Sequence, residues 1–386
     1  MYLRTCVGRV SFCHYFSAHP SYEVTSLTHS YFALDLCLGF DTMADIGLGL
    51  RTNLLRSNDG DFVFPALHVH EKKMGFWEQL PSIERIGLGI TTSLVHYLLS
   101  PKARSFASWY QGFLNEAIAS NTRESRGIFG PVIQSGQGTL EKPGHNYAQM
   151  IGEGAFSTFS SADGYGMMFS GFTHYLSRYP HVYEKLAAEM RDMFAPGERI
   201  IWCPKLESSA YLRAVIDEVM RLLPPACGVH WREAEKPGVI VGNDENGVSV
   251  PVGSDVGMSL FSIFRDGRIF RDPVKFWPER WMQGTLPEGE LAHARKMFKP
   301  FLIGPRNCAG GHVAIMIASI AYAHTLVNYD FRLAPDHGAR PSDENLWSNV
   351  GADEPGARDE LIFESHYSIA GWKNGPYIQF RPRVLD

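Results

Sequence analysis

Cys308 is the residue of this chain whose setting most clearly suggests chemistry. It stands in Lys299-Pro300-Phe301-Leu302-Ile303-Gly304-Pro305-Arg306-Asn307-Cys308-Ala309-Gly310, and a run with helical character, GHVAIMIASIAYAHTLV, follows at once. A cysteine binds a metal ion as the thiolate, and that charge is favoured by backbone N–H groups and by the positive end of a helix beginning just beyond it. Glycines at 304 and 310 let the backbone turn tightly and approach a flat ligand where a Cβ would collide. Without that context, a lone cysteine is most often a small buried apolar side chain. A zinc pair of Cys308 with His312 at i, i+4 lacks a second pair of ligands.

A second constellation precedes it. Glu218 and Arg221 stand three apart on one face of a stretch, 209–223, with helical periodicity, where Leu212, Val215, Val219 and Leu222 are available for burial. Taken alone, such a pair is usually a surface ion pair of little energetic weight. Downstream comes Phe276-Trp277-Pro278-Glu279-Arg280-Trp281, which contains a further arginine.

These residues need elements to hold them. Residues 30–49 carry apolar side chains at helical spacing and end in glycines suited to a C-terminal cap. Residues 121–146 are rich in Gly, Ser, Asn and Pro and read as a connection. From Gln149 to Leu176 a long helix is expected despite Gly152, Gly154, Gly164 and Gly166 in its interior. Each such glycine costs about 1 kcal/mol, so close ligand approach or a kink has to justify them. Helices are also expected at 181–194 and at 209–223, the latter stopped by Pro224-Pro225. Residues 238–263 alternate Val and Ile with turn residues, which predicts short strands, and 377–381 predicts another. Residues 334–361 are rich in Pro, Gly and Asp and read as an exposed loop. The fold class is therefore mainly α with small β-sheets.

Composition bounds the function. A chain of 386 residues with 45% hydrophobic content can bury a large core, and no compositional break divides it, so one domain over 1–386 is expected. Its net charge of -5 gives no basic excess for nucleic acid. The cysteines at 6, 13, 37, 203, 227 and 308 form no C-x-x-C pair, which speaks against a disulfide framework or a zinc ribbon. Arg4, Arg9 and His14 interrupt the opening segment, so no signal peptide or membrane anchor is read there.

With these residues in view, the 301–310 segment resembles the haem-ligand loop of the cytochrome P-450 family, F-x-x-G-x-R-x-C-x-G, with every fixed position occupied. The resemblance implies haem b with Cys308 as axial ligand, Phe301 packed beside the sulfur, and Arg306 paired with a haem propionate. Glu218 and Arg221 resemble the E-x-x-R signature of that family, and FWPERW resembles its P-E-R-F/W element. Arg280 would then join Glu218 and Arg221 in a buried network behind the haem. Arg232 falls where the family often has a second propionate-binding cation.

The long Gly-rich helix is similar to the family's A-G-x-D-T-T helix, but with departures. Asp163 takes the acidic position and would belong to a distal proton relay. Ser161 stands where the family has glycine, and Gly164 where it has the threonine that organises proton delivery. Tyr165, Ser160, Ser161 or a substrate hydroxyl would then have to substitute. The 30–49 segment resembles a helix that normally lies well inside such chains. The reading is thus of the family fold, N-terminally incomplete, without its membrane anchor and early helices.

The function implied is that of a fungal microsomal-type monooxygenase. It would insert one oxygen atom from O2 into a lipophilic small molecule of secondary metabolism, with electrons from an NADPH-dependent reductase. Nine Lys or Arg against five Asp or Glu over 265–306 would suit an acidic electron donor. Family members usually sit on the endoplasmic reticulum membrane; without an anchor the chain would be cytoplasmic. Two rivals stand beside this reading. One is a haem-thiolate isomerase or dehydratase needing no reductase, and the other a catalytically silent haem-binding remnant.

Overall fold

In a computed structural model of the chain, residues 31–54, 101–121, 127–128, 130–131, 147–195, 197–237, 239–242, 247–333, 363–366, 369–372 and 378–383 are described. The expected exposed loop at 334–361 and most of the 121–146 connection lie outside them, as do Cys6 and Cys13.

Helix α1 (Tyr31–Met43) continues into a wider π-turn at Ala44–Leu48. Gly49 ends it with φ +72, its N–H donating to the carbonyls of Ala44 and Asp45, as the glycine-rich end of this segment foreshadows. After α2 (Pro101–Asn121) comes α3 (Tyr147–Arg178), the long helix with interior glycines. Two small residues explain how closely its neighbours pack. A Cβ on Gly39 of α1 would stand 2.9 Å from the Ala162 backbone, and one on Gly171 of α3 would stand 2.8 Å from Val219.

The second contact is with α5 (Ala210–Leu222), which follows α4 (Pro180–Met193). Ser209 caps α5, accepting the Leu212 N–H at 3.2 Å, and the helix stops one residue short of Pro224. Strands β1 (Val229–Glu233), β2 (Val239–Val241), β3 (Val248–Val250) and β4 (Asp255–Ser259) form two antiparallel pairs, β1 with β4 and β2 with β3.

The strand expected to run to residue 263 ends at Ser259. That side chain accepts the Ser262 N–H and starts a short helix, α6 (Leu260–Phe264), which buries Leu260 and Phe264. Beyond α7 (Glu288–Met297) lies α8 (Gly311–Asn328). Strand β5 (Tyr329–Leu333) pairs antiparallel with β8 (Ile378–Pro382), and β6 (Phe363–His366) pairs with β7 (Ile369–Trp372). The strand expected at 377–381 is thus β8.

Buried apolar side chains of α1, α3, α4, α5 and α8 form one core. Tyr322 of α8 sits at its centre, stacked on Phe172 with ring centroids 3.7 Å apart, and its hydroxyl donates to the Met168 carbonyl of α3. Helix α8 is apolar nearly all round because protein surrounds most of it. By length and composition it could cross a membrane, but 67% of it is buried inside the structure. The architecture is mostly helical with two-stranded sheets, the class expected from the sequence.

Candidate functional site

Cys308 reaches its position through a closed loop between α7 and α8. The Leu302 N–H donates to the Lys299 carbonyl at 3.0 Å, Asn307 N–H to Gly304 at 3.1 Å, and Cys308 N–H to Phe301 at 2.9 Å. The chain reverses through Leu302 at φ +60 and Gly304 at φ +78, a left-handed conformation that glycine adopts without penalty. Gly310 has φ -81, and a Cβ there would make only an ordinary contact, 3.7 Å from the Cys308 sulfur, so neither backbone nor packing within the protein demands glycine at this position. The tightest approach belongs to Gly311, whose Cβ would stand 3.0 Å from the Phe301 ring. Spacing alone singled out Gly310; the neighbouring glycine is the one that lets Phe301 lie flat against the start of α8.

The sulfur is accessible. Cys308 is exposed, whereas Cys37 and Cys227 are buried and Cys203 is half-buried. Beside it Ile303 is 69% exposed, and Val313 and Ala314 on the first turns of α8 are only partly buried. Partly exposed apolar residues thus flank Cys308 in the sequence, close to the positive end of a helix. Arg306 is exposed in the turn Gly304–Arg306, with no ion-pair partner among the described residues. Tyr165 of α3 is buried; burial pushes its phenol above the ordinary range, and negative charge on Cys308 adds to that shift.

Glu218, Arg221 and Arg280 come together as expected, at 0%, 0% and 1% exposure. Arg221 donates to both carboxylate oxygens of Glu218 at 2.9 Å. Arg280 donates from Nε at 3.0 Å, and the Trp277 N–H and Trp281 Nε1 each donate at 2.9 Å. The remaining guanidinium N–H groups are capped by carbonyls: Phe264, Pro273 and Lys275 for Arg221, and Arg271, Asp272 and Lys275 for Arg280. Burial alone would raise the Glu218 carboxyl, but Arg221 and Arg280 outweigh it and hold the group below its ordinary value. Sequence reasoning missed the role of Trp281. Its signal was an indole at the end of the PERW element, where a buried N–H needs an acceptor.

Asp163 lies on α3 and is buried. Next to it, a Cβ on Gly164 would meet no heavy atom within 4 Å, so space opens on that side of the helix. The Ser160 hydroxyl donates to the Phe156 carbonyl at 2.6 Å and the Ser161 hydroxyl to Ser157 at 2.5 Å, both within α3. Arg232 is exposed on β1 and bonds the carbonyl of its neighbour Trp231 at 2.7 Å. No hydrogen bond among the described residues joins it to the cysteine loop.

Residues 166–357 match the family model for cytochrome P450. The chain is 27% identical over 348 residues to cytochrome P450 monooxygenase lcsN of Purpureocillium lilacinum, covering 90% of this chain and 97% of that one. It is 28% identical over 284 residues to cytochrome P450 monooxygenase atnE of Emericella nidulans, covering 72% of this chain but 50% of that protein's length. Among solved structures, retinoic acid-bound cyanobacterial CYP120A1 superposes with a TM-score of 0.69 at 17% identity, covering 99% of this chain and 74% of that one. The shared fold, the family match and the related fungal monooxygenases agree with one another, and the chain belongs to the cytochrome P450 family of haem-thiolate oxidoreductases.

Proposed function

We propose that Cys308 is the thiolate that holds the family's haem, and that the chain acts as a monooxygenase on a lipophilic small molecule. The observation that carries this reading is the accessible sulfur of Cys308 beside the first turns of a buried helix. The residues around it fit a flat, largely apolar macrocycle with anionic edges. Ile303, Val313 and Ala314 offer apolar surface, Gly304 and Gly310 carry no Cβ, and Arg306 is a cation with no ion-pair partner among the described residues. When bound, haem supplies the activation of O2 that places one oxygen atom in a C–H or double bond and releases the other as water.

The protein's own part is to hold the sulfur in position. The Cys308 N–H is tied to the Phe301 carbonyl, which fixes the cysteine backbone, and the Phe301 ring, held against Gly311, shields one side of the loop from water. The ion network of Glu218, Arg221 and Arg280 anchors the 264–281 segment to α5. Asp163, buried on α3, would hold the proton of a relay. Arg306 would bind one propionate; Arg232, exposed on β1, is the proposed second cation.

Lys296 and Lys299 are exposed just before the cysteine loop, which suits a negatively charged NADPH-dependent reductase as electron donor. The relatives' setting among fungal monooxygenases favours a substrate of secondary metabolism. The test is turnover of a panel of lipophilic substrates with 18O2, NADPH and a fungal reductase. One labelled oxygen atom per product, lost when reductase is omitted, is the expected result.

A second reading rests on Gly164, which offers no hydroxyl to organise protons. An isomerase or dehydratase acting on pre-oxidised substrates needs none, and would work without reductase or NADPH and leave product unlabelled.

A further inference from the structure

Three residues of α8 carry a hydroxyl, and two of them use it inside the helix. Ser319 donates to the Ile315 carbonyl at 2.8 Å and Thr325 to the Ala321 carbonyl at 2.9 Å. Tyr322 differs, since its hydroxyl leaves α8 and donates to the Met168 carbonyl of α3. The same stretch of α3 also grips its ring. Phe172 stacks on it with centroids 3.7 Å apart and planes 17° from parallel, and Phe169 meets it edge-on at 5.5 Å and 84°.

These contacts add what the surrounding core lacks. Apolar burial is non-directional, so it holds two helices together without fixing how far one slides along the other or turns against it. A hydrogen bond weakens steeply once its angle is lost, and paired rings prefer particular geometries. Tyr322, with none of its surface exposed, therefore sets the register of α8 against α3.

That register reaches the start of the helix. Tyr322 lies roughly 16 Å along the axis from Gly311, the first residue of α8. At that end the Ala314 N–H donates to the Gly310 carbonyl at 2.8 Å, so helical bonding begins close behind Cys308. The Phe301 ring, whose residue accepts the Cys308 N–H, packs on Gly311. A slide or turn of α8 therefore carries Cys308 with it.

We propose that Tyr322 is a positioning residue for the haem-thiolate reaction, fixing Cys308 through the register of α8 on α3. The proposal rests on Cys308 holding haem. Its hydroxyl is dispensable for packing, because phenylalanine keeps the stacked ring and the Met168 carbonyl keeps its place in the bonding of α3.

The experiment follows the hemin-loaded, reduced, carbon monoxide-bound protein at a urea concentration below the unfolding transition. The thiolate-type Soret band and the far-ultraviolet helix signal are read together. One net hydrogen bond corresponds to roughly a two- to tenfold change in a rate or equilibrium. Tyr322→Phe is therefore expected to lose the thiolate-type band roughly two- to tenfold faster than wild type while its helix signal is unchanged. Thr325→Val, which removes a buried hydroxyl bonded inside α8, is expected to match wild type.

A band that decays at the wild-type rate in Tyr322→Phe overturns the proposal, as does equal acceleration in Thr325→Val. So does loss of the helix signal in step with the band, or failure of Tyr322→Phe to take up hemin, since the hydroxyl would then be a folding contact. In each of these cases the wild-type band is intact. A wild type without a thiolate-type band sinks the Cys308 assignment itself, and this proposal with it.

Discussion

Glu218 shows how one side chain can become indispensable. Five donors converge on its two oxygens from Arg221, Arg280, Trp277 and Trp281, and none of its surface reaches water. Its contribution to stability exists only while it is ionised. Because its folded-state pKa lies below the ordinary 4.5, that contribution is present above this value and is lost as pH falls beneath it. Glu218→Ala leaves two buried guanidinium groups without their carboxylate, a loss of about 3–5 kcal/mol. Against a typical total stability of about 5–15 kcal/mol, the expected outcome is a chain that takes up little hemin and melts far below wild type. Thermal denaturation and hemin titration check this, and normal haem occupancy in the variant would refute the network's importance.

Single residues also mark where sequence reading stops. Cys308, Glu218 and Arg280 were legible because each lies in a local pattern of fixed spacing. Trp281 and Gly311 were not, because their roles depend on neighbours distant in sequence or on which glycine of a pair meets a ring.

At the scale of elements, periodicity located α1, α3, α4, α5 and α8 well, since burying one apolar face fixes a helix whatever its exact partners. It overran at α6, where Ser259 ends a strand and caps a helical turn, because a short Leu-Phe-Ser-Ile-Phe run satisfies either pattern until packing decides. Two helices also carry opposing titrations. Burial pushes His324 of α8 down to about 4, so the folded state disfavours its protonation and stability is lost as pH falls from 6.5. Burial likewise pushes Asp217 of α5 up to about 6 against the pull of Arg213, so stability is lost as pH rises from 3.8. Each effect amounts to about 3 kcal/mol at full extent. Relative to wild type, His324→Gln is expected to lose stability as pH rises from 4 to 6, and Asp217→Asn to gain it. Melting temperatures across that range decide, and slopes of the same sign in both variants would contradict the assignment.

On the scale of the whole molecule, the cysteine loop runs directly into α8, and α8 shares one buried core with α3 and α5. The ion network ties the 264–281 segment to α5, so the helices that carry the network and follow the cysteine belong to the most buried part of the described residues. The fold class was legible because helical periodicity dominates the sequence.

The central claim is that Cys308 binds haem iron as a thiolate. Its most direct test is the reduced, carbon monoxide-difference absorption spectrum of the hemin-loaded protein, taken for wild type and Cys308→Ala. A red-shifted thiolate-type Soret band in wild type that vanishes in Cys308→Ala is the result predicted; a wild-type band at the position typical of nitrogen ligation, or one that survives the substitution, would contradict it.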